Sequence, residues 1–480
     1  MAAPAANSMT VILEADRLAD AIVSSMTDGP PISAESRGDS FTTIEWLVCA
    51  VAALGFAFDL YEMLVLPVIV RPAIMTLGGL TPGTGEFNRW VGLMFYVPAV
   101  AGAALGLVGG WLTDRFGRRR VLTWSILLYA LSSVAAARAA TLEELLVFRC
   151  VTVMGVSAEY VAAVAWLAEL FEEPRRRERV LGVTQSAAGL GGLMATAGYG
   201  LAVTFADRLP SIAATHDPWR YALVFGLLPA IPLILLRPFL PESPEWRRQR
   251  SAGRAACPRI RALLRPVLRR RTLLMIVLFA CTYGLASGVL LQTPRIVPGL
   301  AALREMPARR VEQTVSAVQF IGELGVLAGR LLFALIVLRV ASQRRLARGL
   351  FAAGLIVIPA AYLVGATHGV VVLAVGVFLT ALLINAPISL IWNALPRVYP
   401  TELRGTGEGV AYNVGARLLG TFVVVITTQL AGVMPGDAAS SQLARSAGIV
   451  AIGLCATALI ASFALADSPG HVSLRGEYNS

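Results

Sequence analysis

Along these 480 residues, apolar stretches long enough to cross a bilayer follow one another with short basic connections between them. A crossing helix needs about 20 predominantly apolar residues. By hydropathy, six spans are expected at Glu45–Val70, Trp90–Leu112, Val121–Ala137, Leu142–Leu170, Val180–Phe205 and Tyr221–Leu240. Six more are expected at Thr272–Leu291, Glu312–Leu338, Leu350–Ala366, Val370–Leu395, Gly407–Val433 and Ala447–Leu465. The polar segment 241–271 separates the two sets. The fold class is therefore an all-α polytopic membrane protein, with twelve transmembrane helices in two six-helix bundles (45–240 and 272–467). Tails occupy 1–44 and 468–480. A composition of 56% hydrophobic and 15% charged residues excludes an ordinary soluble globule.

The net charge of +11 comes from arginine alone, since the chain has no lysine. The arginines gather in alternate connections, at Arg115–Arg120, Arg175–Arg179, the 241–271 segment, Arg344–Arg348 and Arg397–Arg404. The positive-inside rule accounts for this without nucleic acid, and places both termini in the cytoplasm of a cell (inner) membrane. Arg304, Arg309 and Arg310 are the exceptions on the opposite side. The tail resembles no signal peptide, and Thr10–Met26 reads as a short amphipathic surface helix. Cys49, Cys150, Cys257, Cys281 and Cys455 form no CxxC pair, and His216, His368 and His471 fall in loops or the tail. No disulfide framework, metal site, cofactor or catalytic set is suggested.

The connection after the second span reads GGWLTDRFGRRR. Gly110, Asp114, Arg115, Gly117, Arg118 and Arg119 fit G-x-x-x-D-R-x-G-R-R, which resembles the loop signature of the major facilitator superfamily of transporters. Glycine allows a tight turn there, and Asp114 with the arginines can bond neighbouring helix ends. Three further stretches resemble the sugar-porter and metabolite:proton symporter branches: ELFEEPRRRER with Glu169 and Arg179, PESPEW with Glu242, and YPTELRGTG with Arg404. The resemblance implies a fold of two pseudo-symmetric bundles around a midplane site, with these residues as a cytoplasmic gate. The matching loop of the second half departs from it, with Val340 and Gln343 where Asp and Gly would fall.

Charged groups inside spans are costly and generally functional. Asp59 and Glu62 share one face of the first span, and Arg149 opens the fourth. The resemblance implies an Asp59–Arg149 pair that takes up and releases a proton; a static buried ion pair is the alternative. Glu159, about 15 Å along the same helix, is a second candidate proton site or a packing contact. For substrate, the resemblance implies Gln185, beside Gly189, Gly191 and Gly192, together with Trp392. Tyr283, Gln319, Glu323 and Asn385 are polar groups within spans. Asn413 and Arg417 resemble the Y-N-x-x-R element of carboxylate symporters. A midplane Arg417 suits a carboxylate clamp, or an internal salt bridge to Glu323 or Glu159.

The seventh span lacks the paired glutamines of sugar porters. The expected function is proton-coupled symport of a small organic anion by alternating access, by a monomer whose partners are substrate, protons and lipid. A sugar or polyol symporter is the alternative, a drug efflux antiporter the third reading, and a transporter-like sensor a different class.

Overall fold

The computed structural model describes residues 41–464, except 172, 174–175, 177–179, 185–186, 244–245, 249–265, 338–341, 400–403 and 437. The Thr10–Met26 helix, both tails, Gln185, Arg179 and most of the 241–271 segment lie outside the described residues. Among those described, helices follow one another with no β-strand.

The first half contains α1 (Thr43–Gly78), α2 (Gly85–Phe116), α3 (Arg118–Ala136), α4 (Leu142–Leu170), α5 (Gly189–Phe205) and α6 (Pro218–Leu236). The second contains α7 (Leu268–Gly299), α8 (Ala308–Val337), α9 (Gln343–Leu363), α10 (Val370–Val398), α11 (Gly407–Ala431) and α12 (Ala439–Ser462). Eleven helices among the described residues are long and apolar enough to cross a membrane. The remaining one, α3, opens on three arginines and carries Ser125, Ser132 and Ser133, so its 19 residues fall short by composition while packing inside the first bundle.

Local chemistry sets where these helices begin and end. Thr42 and Glu45 form a reciprocal capping box that starts α1. That helix runs on to Gly78, past the expected end at Val70, because Gly79 at φ 62° is the first residue to cap it. Gly117 turns the chain from α2 into α3 at φ 95°, a value an L side chain resists. The seventh span also differs from expectation: regular helix ends at Gly288, and short helical turns carry the chain to Gly299.

One apolar core unites α1–α6, and two clusters fill the second half. The halves meet along two seams, α5 against α8 and α2 against α11. Gly191 makes the inner packing possible: a Cβ there would collide with the Ala57 carbonyl of α1. The segment Ala411–Gly420 of α11 is wound as a π-helix, and Gly415 and Gly420 bring it close to the backbone of α7.

Candidate functional site

At the basic end of the first bundle, the motif residues converge on two carboxylates. Glu242 accepts the backbone N–H groups of Arg118 (3.1 Å) and Arg119 (3.2 Å), the first turn of α3. An anion at a helix N-terminus meets unpaired N–H groups and the positive end of the dipole. Glu169 pairs with Arg118 at 2.9 Å and accepts the Ser243 hydroxyl. Trp166 donates to the Pro241 carbonyl at 2.9 Å, which fastens the PESPEW stretch to α4. Arg118, Arg119, Glu169 and Glu242 are thus brought together, with Gly117 directly against Glu242. Arg115 is exposed on the last turn of α2, which Asp114 shares, and Gly110 lies on the turn before it. The side chains of Asp114 and Arg404 lie outside the described residues.

Deeper in the bundle, the carboxylates sort differently from the expected pairing. Arg149 bonds Glu62, not Asp59: its guanidinium donates to the Glu62 carbonyl at 2.6 Å and lies 3.5 Å from the Glu62 carboxylate. Ser133 donates to the same carboxylate at 3.0 Å. The reason is depth. α1 and α4 run antiparallel, so Glu62, further along α1, lies level with Arg149 near the start of α4. Asp59, about 4.5 Å deeper, falls between that pair and Glu159, which lies against Gly55 of α1 and pairs with Arg237 at the end of α6. Neither Asp59 oxygen has a hydrogen-bond partner, although the residue is only 5% exposed. Glu159, Arg237, Tyr129 and Arg417 are the groups acting on it. Sequence reasoning missed Arg237; the signal was present, a lone arginine closing an apolar run in LILLRPF.

From the second half, Arg417 reaches across the α2–α11 seam. It donates to the Gly102 carbonyl at 3.0 Å and to the Ser157 hydroxyl, and its guanidinium lies 5.4 Å from the Tyr412 ring centre. No carboxylate among the described residues pairs with it, so the alternative of a salt bridge to Glu323 or Glu159 is not realised. Asn413, four residues earlier, is spent on its own helix at 2.9 Å, as is Asn385 at 3.0 Å. Gln319 and Glu323 do come together, at 3.2 Å, with Glu323 directly against Gly192 of α5. Tyr283 accepts the Trp392 indole N–H at 3.3 Å.

The end away from the basic loops is closed by bonds between the halves. Glu312 of α8 pairs with Arg71 of α1 at 2.5 Å and accepts the Tyr199 hydroxyl of α5 at 2.6 Å. Arg295 of α7 donates to Asn88 of α2 at 2.8 Å. Ser316 donates to the Thr196 carbonyl at 2.6 Å. This latch was not foreseen, because its members are widely separated in the chain.

Two six-helix bundles, latched at one end and enclosing charged groups in their interior, define a multi-pass integral membrane protein. The family model for the Major Facilitator Superfamily matches residues 46–425. The chain belongs to that superfamily. It is 34% identical to the inner membrane metabolite transport protein YgcS of Escherichia coli (strain K12) over 41% of each chain. The chain therefore spans about two fifths of the length of that relative. It is 23% identical to the sialic acid transporter NanX of the same organism, over 79% of this chain and 86% of that one. A D-xylose-proton symporter structure shares the fold, with a TM-score of 0.64 at 18% identity over 86% of this chain and 97% of the other.

Proposed function

We propose that this protein is a secondary active transporter that moves a small organic anion together with a proton by alternating access. The observation that carries this reading is Arg417, a cation at the seam between the halves whose partners are neutral acceptors. A half-buried guanidinium of this kind is an open carboxylate-binding position. The relative NanX, named for sialic acid, has an acid as its solute.

Coupling follows from counting charge. Asp59, Glu159 and Arg237 together carry one net negative charge, with Arg417 as the further cation acting on Asp59. A substrate carboxylate on Arg417 takes over that cation. Asp59 is then left with an excess negative charge in a low-dielectric interior, and a proton removes it. Substrate and proton thus load together, and by linkage each favours the other. The neutralised centre can be enclosed, so the seams rock as the latch opens and the basic end closes. The basic end faces the cytoplasm of a bacterial inner membrane, and one chain suffices for the cycle.

Reconstituted in liposomes, the protein should take up labelled carboxylate faster with an inward proton gradient and without net current, since one proton cancels the charge of one carboxylate. Current with neutral sugars alone would favour the second reading, a sugar or polyol symporter. The Trp392–Tyr283 pair favours that reading, since an indole face and a phenol can receive a sugar ring.

A further inference from the structure

The second half faces the centre with an aromatic wall. Phe279 and Tyr283 of α7, Trp392 of α10 and Tyr412 of α11 form a continuous set, with ring centroids 5.1 to 6.0 Å apart. Tyr160 of α4 belongs to the other half, where its ring meets that of Phe56 at 5.6 Å. Tyr160, Tyr283, Trp392 and Tyr412 each keep part of their surface exposed although all four are central. Their free faces therefore line interior space.

Apart from the hydroxyls of Tyr160, Tyr283 and Tyr412, the side-chain donors around this wall are committed to the protein. The amide N–H groups of Asn385 and Asn413 go to carbonyls of their own helices, and those of Gln292 and Gln319 go to Ser287 and Glu323. A polyhydroxylated solute needs converging polar partners, whereas an aromatic ring needs flat apolar faces in offset or edge-on contact. A charged donor, Arg417, stands at the edge of the wall, against the Tyr412 ring.

We propose that this wall selects a planar aromatic monocarboxylate, bound with its carboxylate on Arg417 and its ring against Tyr412 and Trp392. This rests on the organic-anion reading and narrows it to one chemical class. The carboxylate supplies orientation and the ring supplies discrimination. A saturated ring of equal size fills the same volume but presents axial hydrogens and cannot match the flat contact.

The test compares proton-driven uptake of benzoate, cyclohexanecarboxylate, acetate and xylose into proteoliposomes. Benzoate should exceed cyclohexanecarboxylate in kcat/KM by about tenfold, the scale of one good aromatic pair. Tyr412→Leu should bring that ratio close to one, while Tyr412→Phe keeps it. If Tyr412→Leu does not fold, Trp392→Leu gives the same readout. Equal uptake of the two ring acids, or a ratio unchanged in a folded leucine variant, overturns aromatic selection and leaves anion symport standing. Uptake of xylose but no carboxylate, or of none of the four with no carboxylate binding detected by tryptophan fluorescence, overturns both.

Discussion

Arg149 is held by Glu62 through both the backbone carbonyl at 2.6 Å and the carboxylate at 3.5 Å, with the two side chains 1% and 0% exposed. Three residues earlier on the same helix, Asp59 has no hydrogen-bond partner. The two acids of α1 therefore differ in surroundings, one paired with a cation and one without a hydrogen-bond partner. Removing one member of a buried pair leaves a charge stranded. Arg149→Ala should cost about 3–5 kcal/mol, read as a lowered unfolding temperature in detergent. A combined Glu62→Leu, Arg149→Met variant should recover much of that loss; no recovery would mean that the pair is not the source of it.

Asp59→Asn should uncouple the protein without unfolding it. Calorimetry in buffers of different ionisation enthalpy should show about one proton taken up per carboxylate bound by the parent. The variant should take up none, while solute exchange across the membrane continues. Proton uptake unchanged in Asp59→Asn would move the coupling role to Glu159.

Arg417→Ala should weaken carboxylate binding by about 2–5 kcal/mol, because the anion loses its charged, hydrogen-bonding partner at the seam. Arg417→Lys should recover only part, since an ammonium lacks the planar fork. Equal dissociation constants in the parent and Arg417→Ala would make the residue a strut between α11 and α2.

The far-end latch predicts an accessibility change. In the Arg71→Ala variant, Glu312 loses its cation and keeps only Tyr199. A cysteine at Ser316, buried where it bonds Thr196, should then react faster with a membrane-impermeant maleimide added from that side. Carboxylate binding from the opposite side should become rarer in the same variant. Unchanged labelling would show that the remaining bonds, Arg295–Asn88 and Gln313–Thr204 among them, hold this end closed without Arg71.

Helix packing gives a contrast between near neighbours. Gly191→Ala forces a methyl group into the Ala57 carbonyl, whereas at Gly189 the nearest atom to an added Cβ is a Leu327 methyl at 3.6 Å. Gly191→Ala should cost about 1–3 kcal/mol and Gly189→Ala little, as measured by thermal unfolding.

The membrane spans were legible because hydropathy acts over whole segments and tolerates errors of a few residues at each end. The cluster at the basic end was legible because Gly117, Arg118, Arg119, Glu169 and Glu242 sit in local patterns whose chemistry is short-range. Pairings between helices were not. Spacing along α1 places Asp59 and Glu62 on a face but says nothing of which lies level with Arg149. That depends on where each helix starts, and α1 starts at its Thr42 cap rather than at the edge of an apolar run. Arg71 and Glu312 stood at the margins of expected spans, and neither position signals the other across the interface. Arg237 was legible by the rule that drew attention to Arg149, a charge within an apolar run.

The winding of Ala411–Gly420 bears on how this chain is to be matched with others. A π turn holds more residues than an α turn over the same rise. The surplus is absorbed beside α7, so Thr421–Ala431 keeps its face toward α2. A chain one residue shorter here could build the same bundle with an unbroken α-helix. Correspondence by simple counting would then slip beyond this point, by about a quarter of a turn for each residue. Position in space, rather than ordinal number, is what would identify the counterpart of Arg417 in such a chain.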